Sequence, residues 1–83
     1  RKEFQNHVEM LNEEFFLRLT QKFPDISDSE KRLSALLRMG LSSKEISTIL
    51  NISPKSVDMS RYRLRKKFEI EKEDSLTEFI SNI

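Results

Sequence analysis

Residues 42–68 read SSKEISTILNISPKSVDMSRYRLRKKF, and the punctuation inside this stretch decides the fold. Ser42-Ser43-Lys44-Glu45 has the S-x-x-E form of a capping box, in which serine and glutamate side chains satisfy each other's free backbone N–H groups. It predicts a short helix with Ile46, Ile49 and Leu50 turned inward. Asn51 then tolerates the left-handed conformation of a tight turn. Ser53-Pro54 supplies a second cap, followed by proline at the first helical position, where its missing N–H costs nothing. From Pro54 a second helix is predicted to run to about Phe68. Val57, Leu64 and Phe68, spaced by seven and four, form its inward stripe.

The same grammar extends outward. Ser27-Asp28-Ser29-Glu30 is another capping box, opening a helix with Leu33, Leu36 and Leu37 inward and closing at Gly40. Ser75-Leu76-Thr77-Glu78 is a third, opening a last helix with Leu76, Phe79, Ile80 and Ile83 at i, i+3, i+4 and i+7. At the other end Phe4, Val8, Leu11, Phe15 and Leu19 make one face of a long amphipathic helix, with Phe16 and Phe23 beside it. Proline at 24 disfavours the α region for Phe23 and ends that helix. No segment alternates with strand period, so the chain is expected to be all-α. The division expected is 1–23, an N-terminal helix that packs on its own domain or continues a coiled coil upstream, and 24–83, the remaining helices.

Eighty-three residues suffice for one small core. With 36% hydrophobic and 35% charged residues and a single glycine, the chain is neither disordered nor a many-stranded β fold. The absence of cysteine excludes disulfides and thiolate metal sites, and the one histidine, His7, cannot build a His-rich site, so no metal or cofactor is expected. No apolar run exceeds three residues, which leaves no membrane span and no expected membrane contact. A chain opening on Arg1 without a signal-peptide pattern reads as a segment of a longer protein. No Gly-rich phosphate loop is present. His7 is a surface or packing residue, and Glu13-Glu14 and Glu71-Glu73-Asp74 are solvated faces, so no enzyme activity is expected.

Charge is uneven. Residues 1–30 carry a net −3, residues 31–68 a net +8 and residues 69–83 a net −4. A basic middle between acidic flanks points to an anionic partner at one place. On the second helix of the opening stretch, Lys55, Asp58, Met59, Tyr62 and Lys66 lie opposite the apolar stripe, with Arg61, Arg63, Arg65 and Lys67 on the flanks. A short helix, a three-residue turn and a basic helix make a helix-turn-helix, whose second helix has the width to enter a DNA major groove.

The segment from Ile26 to Phe68 resembles the LuxR/FixJ-type (GerE-like) DNA-binding domain of bacterial transcription regulators. The residues that carry this are Ile26-Ser27-Asp28-Ser29-Glu30, Gly40-Leu41-Ser42-Ser43-Lys44-Glu45-Ile46-Ser47-Thr48-Ile49-Leu50 and Ile52-Ser53-Pro54-Lys55-Ser56-Val57 continuing to Phe68. With the last helix, the resemblance covers about 58 of the 83 residues. It implies a four-helix domain of scaffold, support, recognition and dimerisation helices, without a wing, at the C-terminal end of a larger sensor-type protein.

By position, the resemblance puts Lys44, Lys55 and Ser56 at phosphate contacts near helix starts, where free N–H groups already favour an anion. Arg61, Arg65 and Lys66 follow along the backbone, and Asp58, Met59 and Tyr62 occupy the outward positions that touch base edges. Leu76, Phe79 and Ile80 would be either a dimer face or the last part of the core, and the resemblance favours the dimer. The partners implied are double-stranded DNA, bound at a palindromic site, a second copy of the chain, and RNA polymerase, in a cytoplasmic, nucleoid-associated setting. Asp58 stands where many members of the family it resembles carry lysine. It is expected to pair with Arg61 or Arg63, the alternative being a bond from a cytosine amino group. Ser60 replaces a histidine common in the family. Two other readings stay open: a helical protein-interaction module, and promoter recognition resembling region 4 of a sigma factor.

Overall fold

Serine hydroxyls open four of the five helices that a computed structural model describes over residues 13–83. The helices are α1 (Glu13–Lys22), α2 (Asp28–Arg38), α3 (Ser43–Leu50), α4 (Pro54–Phe68) and α5 (Leu76–Ser81). The oxygens of Ser27, Ser42, Ser53 and Ser75 each accept from the N–H three residues on, at 3.1 Å. At α2 and α3 the box closes both ways, because the Glu30 and Glu45 carboxylates accept from the Ser27 and Ser42 N–H groups at 2.9 and 2.8 Å. The third box is only half formed: Glu78 is exposed and its carboxylate does not return the bond to Ser75. Pro54 takes the first position of α4, as its missing N–H allows. Among the described residues there is no strand, and the all-α expectation is met.

Helix ends follow the turn chemistry of the sequence in two cases of three. Gly40, at φ 83°, takes the left-handed turn after α2 and lets Leu41 N–H reach back to the Leu36 carbonyl at 3.4 Å. Asn51, at φ 58°, makes the turn after α3, with Ile52 N–H on the Ser47 carbonyl at 3.0 Å. The third left-handed residue is Glu69, φ 56°, after α4, which no glycine or asparagine announced. There Ile70 N–H bonds the Arg65 carbonyl at 3.2 Å and the Ile70 side chain packs on the core, so an apolar contact anchors the turn.

The core is organised by α2, which packs against α1, α4 and α5, while α3 packs on α4. Leu33, Ala35, Leu36 and Leu37 of α2 are buried with Phe15 and Leu19 of α1, Ile46 of α3, Val57, Leu64 and Phe68 of α4, and Leu76 and Ile80 of α5. Ser34 is buried among them, its hydroxyl donating to the Glu30 carbonyl at 2.8 Å. Phe23, Phe68 and Phe79 stack in series, with ring centroids 4.7 and 5.0 Å apart. The inward stripe of α4 is as the spacing predicts.

One core expectation is corrected. Ile49 is 41% exposed, because the eight-residue α3 rests on α4 mainly through Ile46, with Leu50 half-buried, and Ile49 lies on the outer side. Phe4, His7, Val8 and Leu11 lie outside the described residues, and so does that part of the N-terminal stripe.

Candidate nucleic-acid interface

Burial of Val57, Leu64 and Phe68 fixes the rotation of α4 about its own axis, and so decides which side chains it shows to solvent. Asp58, Met59, Tyr62 and Lys66 are exposed, Met59 and Tyr62 at 47% and 56%. Those two values matter because large apolar and aromatic groups are held on a surface with no neighbouring helix over them. Lys55 is exposed at the start of the same helix, and Arg63 on its flank; Arg61 is half-buried.

The cations of this region fall into two groups. Among the described residues, Lys44, Lys55, Arg61, Arg63 and Lys66 have no carboxylate partner, and Lys66 instead places its ammonium 5.2 Å from the centroid of the Tyr62 ring. The others are committed within the protein. Arg65, expected on the phosphates, donates through Nη1 to the backbone carbonyls of Glu71 (3.1 Å) and Asp74 (2.6 Å), tying down the turn between α4 and α5. Lys67 Nζ lies 3.2 Å from Glu30 Oε1 and donates to the Asp25 carbonyl at 3.3 Å, its carboxylate being 3.9 Å away.

Asp58 is the only acid on α4. Its expected ion pair with Arg61 or Arg63 is not formed, and the carboxylate stands in solvent. At the helix start, the Ser53 hydroxyl accepts from Ser56 N–H and donates to Ser56 Oγ at 2.9 Å. The Ser56 hydroxyl keeps a hydrogen to donate, beside the Lys55 N–H, which neither the proline nor the cap removes from the first turn. Lys44 and Lys55 both stand in first turns, on α3 and α4, where a helix end favours an anion.

Two carboxylates that frame the basic region are held ionised. Burial raises the pKa of Glu30, but the Ser27 N–H, the Lys67 ammonium and the Ser27 hydroxyl outweigh it and hold the group below its ordinary 4.5. The Ser42 N–H and hydroxyl lower that of Glu45, against a small opposing effect of burial.

Of the two roles expected for the apolar stripe of α5, core and dimer face, the fold of the single chain displays the first. Leu76 and Ile80 are 1% and 0% exposed, inside the protomer's own core, and Phe79 is half-buried against Phe68. An 83-residue chain has little apolar surface to spare, and its core claims this stripe first. By helical spacing alone Arg63 and Lys67 are both flanking charges. Their separation into an unpaired cation and a clasp depends on where Glu30 and Asp25 arrive in space, and helical spacing on α4 holds no sign of it.

Among the described residues no cluster of His, Cys, Asp or Glu could hold a metal ion, and no helix is long and apolar enough to cross a membrane. A family model described as bacterial regulatory proteins, luxR family (GerE), matches residues 25–80, more than half of the chain. No curated protein and no solved structure matches the chain significantly. The matched segment begins after α1, whose Phe15 and Leu19 nevertheless fill the same core.

Proposed function

The chain belongs to the LuxR family of bacterial regulatory proteins, DNA-binding regulators of transcription with a helix-turn-helix, and on that premise we propose that α4 enters the major groove and reads sequence there. Asp58, Met59 and Tyr62 face base edges. Lys44, Lys55, Ser56, Arg61 and Lys66 hold phosphates, and we add Arg63 to that set. Arg65, which the family resemblance puts on the phosphates, serves the turn instead, its guanidinium bound to two carbonyls.

One observation supports this reading above others: the outer side of α4 gathers unpaired cations around three exposed side chains, while acidic residues dominate the segments on either side of 31–68. Phosphates would supply the missing counter-charges, and the free N–H groups at two helix starts would strengthen the contact. About four to six phosphate contacts per copy give a slope of log affinity against log salt of roughly −4 to −5. Titrating a duplex with the chain across a salt series tests this. A flat response would instead favour a protein-interaction module.

The wider proposal has residues 24–83 as the DNA-binding unit and residues 1–23 leading into it from upstream, α1 being held by Phe15 and Leu19. Two copies would bind a palindromic site about one helical turn apart, as two-fold symmetry favours. A contact through α5 would rely on the exposed edge of Phe79, since Leu76 and Ile80 are buried. RNA polymerase as a second partner and a place in the cytoplasm with the nucleoid complete the reading. Sedimentation of the chain with and without duplex measures the copy number directly.

A further inference from the structure

Lysine is a costly phosphate ligand, because its long flexible stem loses much rotamer freedom when the ammonium is fixed at one place. Lys66 is also in an adverse setting. Its neighbours along α4 are Arg63, Arg65 and Lys67, and no carboxylate among the described residues pairs with it. The group that does meet its ammonium is the Tyr62 ring, one helical turn back, with Nζ 5.2 Å from the centroid. An aromatic face carries negative quadrupole density and attracts a cation at this range. The pair lies at i and i+4, the spacing at which helix side chains touch, and both members are exposed on the outer side of α4.

We propose that Tyr62 is a positioning residue for Lys66, its ring holding the ammonium on the DNA-facing side of α4 ready for a backbone phosphate. This rests on the reading of α4 as the DNA-facing helix and adds to it a second task for Tyr62. The ring spends one face on the cation, and its phenolic oxygen stays free for a base edge. Because the ring contact neutralises no charge, the ammonium arrives at the phosphate with its full charge and with part of its freedom already lost. The arrangement needs the ring and not the hydroxyl.

The test compares Tyr62→Ala, Tyr62→Phe, Lys66→Ala and the double variant Tyr62→Ala/Lys66→Ala of the full chain, on a pool of random-sequence duplexes across a salt series. Tyr62→Ala is expected to weaken binding about two- to fivefold. Tyr62→Phe, which keeps the ring and loses only the phenolic bond, should lose less than Tyr62→Ala, and the loss from Tyr62→Ala should shrink once Lys66 is alanine. The Lys66 ε-methylene protons should also show a ring-current shift in NMR that Tyr62→Ala removes and Tyr62→Phe keeps. Equal losses for Tyr62→Phe and Tyr62→Ala, or additive losses in the double variant, overturn the positioning role while leaving α4 on DNA. If Lys66→Ala itself leaves pool binding unchanged, Lys66 is not at the interface, and the positioning role is overturned together with that phosphate assignment. If the parent chain shows no salt-dependent binding at all, the reading of the whole face is overturned.

Discussion

Lys67 Nζ lies 3.2 Å from Glu30 Oε1, the same carboxylate oxygen that accepts the Ser27 N–H at 2.9 Å. One carboxylate thus caps α2 and holds the far end of α4. Both side chains are 24% exposed, enough shielding from water for the pair to matter. Lys67 also donates to the Asp25 carbonyl, so the end of α4 is tied to the turn before α2 and to its first residues. The angle at which α4 leaves the body of the protein is set in part by this clasp.

Breaking the clasp should therefore destabilise the fold. Lys67→Met, which keeps the aliphatic stem, is expected to cost about 1 kcal/mol, or roughly 4–8 °C in Tm for a domain of this size. Glu30→Ala should cost about 1 kcal/mol more, since it also removes half of the capping box. A double-mutant cycle by thermal melting checks the coupling; strictly additive losses would show that the 3.2 Å contact carries no energy.

Acid should act through the capping carboxylates. Glu30 and Glu45 both have lowered pKa values in the folded protein, so the native state binds their protons less readily than the unfolded chain does. Their contribution is complete above the ordinary value of 4.5 and is lost as pH falls through the lower folded values. Urea melts taken from neutral pH down through this window should show the midpoint falling. Glu30→Gln/Glu45→Gln, which keeps carbonyl acceptors in both boxes, should flatten that dependence; an unchanged pH profile would exclude these two groups as its source.

Paired and unpaired cations should separate by assay. Lys55→Ala and Lys66→Ala are each expected to weaken binding to every duplex and together to make the log–log salt slope shallower by about two. Arg65→Ala should leave that slope nearly unchanged. It should lower stability and speed amide exchange in the 69–75 turn, because its guanidinium holds two carbonyls there.

Base reading predicts a different signature. Met59→Ala and Asp58→Asn should change the ratio of affinities among sites by about 1–3 kcal/mol each, measured by selecting bound duplexes from a random pool. An equal loss on all sequences would move these residues to the phosphate group. Asp58 is informative because it has no partner among the described residues, so its removal breaks no ion pair there.

The last helix is predicted to behave as core. Leu76→Ala or Ile80→Ala should cost about 2–5 kcal/mol, as for other buried aliphatic truncations, and should unfold much of the population. Phe79→Ala also removes a ring from the Phe23–Phe68–Phe79 stack. Chemical denaturation alongside sedimentation distinguishes loss of fold from loss of assembly; a Leu76→Ala chain of full stability that no longer self-associates would restore the dimer-face assignment.

Helix boundaries were legible because their signals are local. Ser27-x-x-Glu30, Ser42-x-x-Glu45 and Ser53-Pro54 act over a single turn, and Gly40 and Asn51 need only their own backbone freedom, so reading along the chain reaches them. The apolar stripe of α4 was equally legible, and with it the outward side carrying Asp58, Met59 and Tyr62. Glu69 in the left-handed region was not, because its turn is anchored by Ile70 packing on a core assembled from distant residues.

Periodicity, caps and the distribution of charge were enough to establish an all-helical chain whose basic helix turns its cations outward, since each of these acts within a few residues. Which cations remain unpaired could be learned only from the assembled fold. Arg65 and Lys66 are adjacent in the chain and carry the same charge, yet one is bound to carbonyls beyond the end of its helix and the other stands over an aromatic ring. Lys67 meets Glu30 across 37 positions of sequence. Partners separated in this way leave no periodic trace along the chain, because chain folding, and not helical spacing, brings them together.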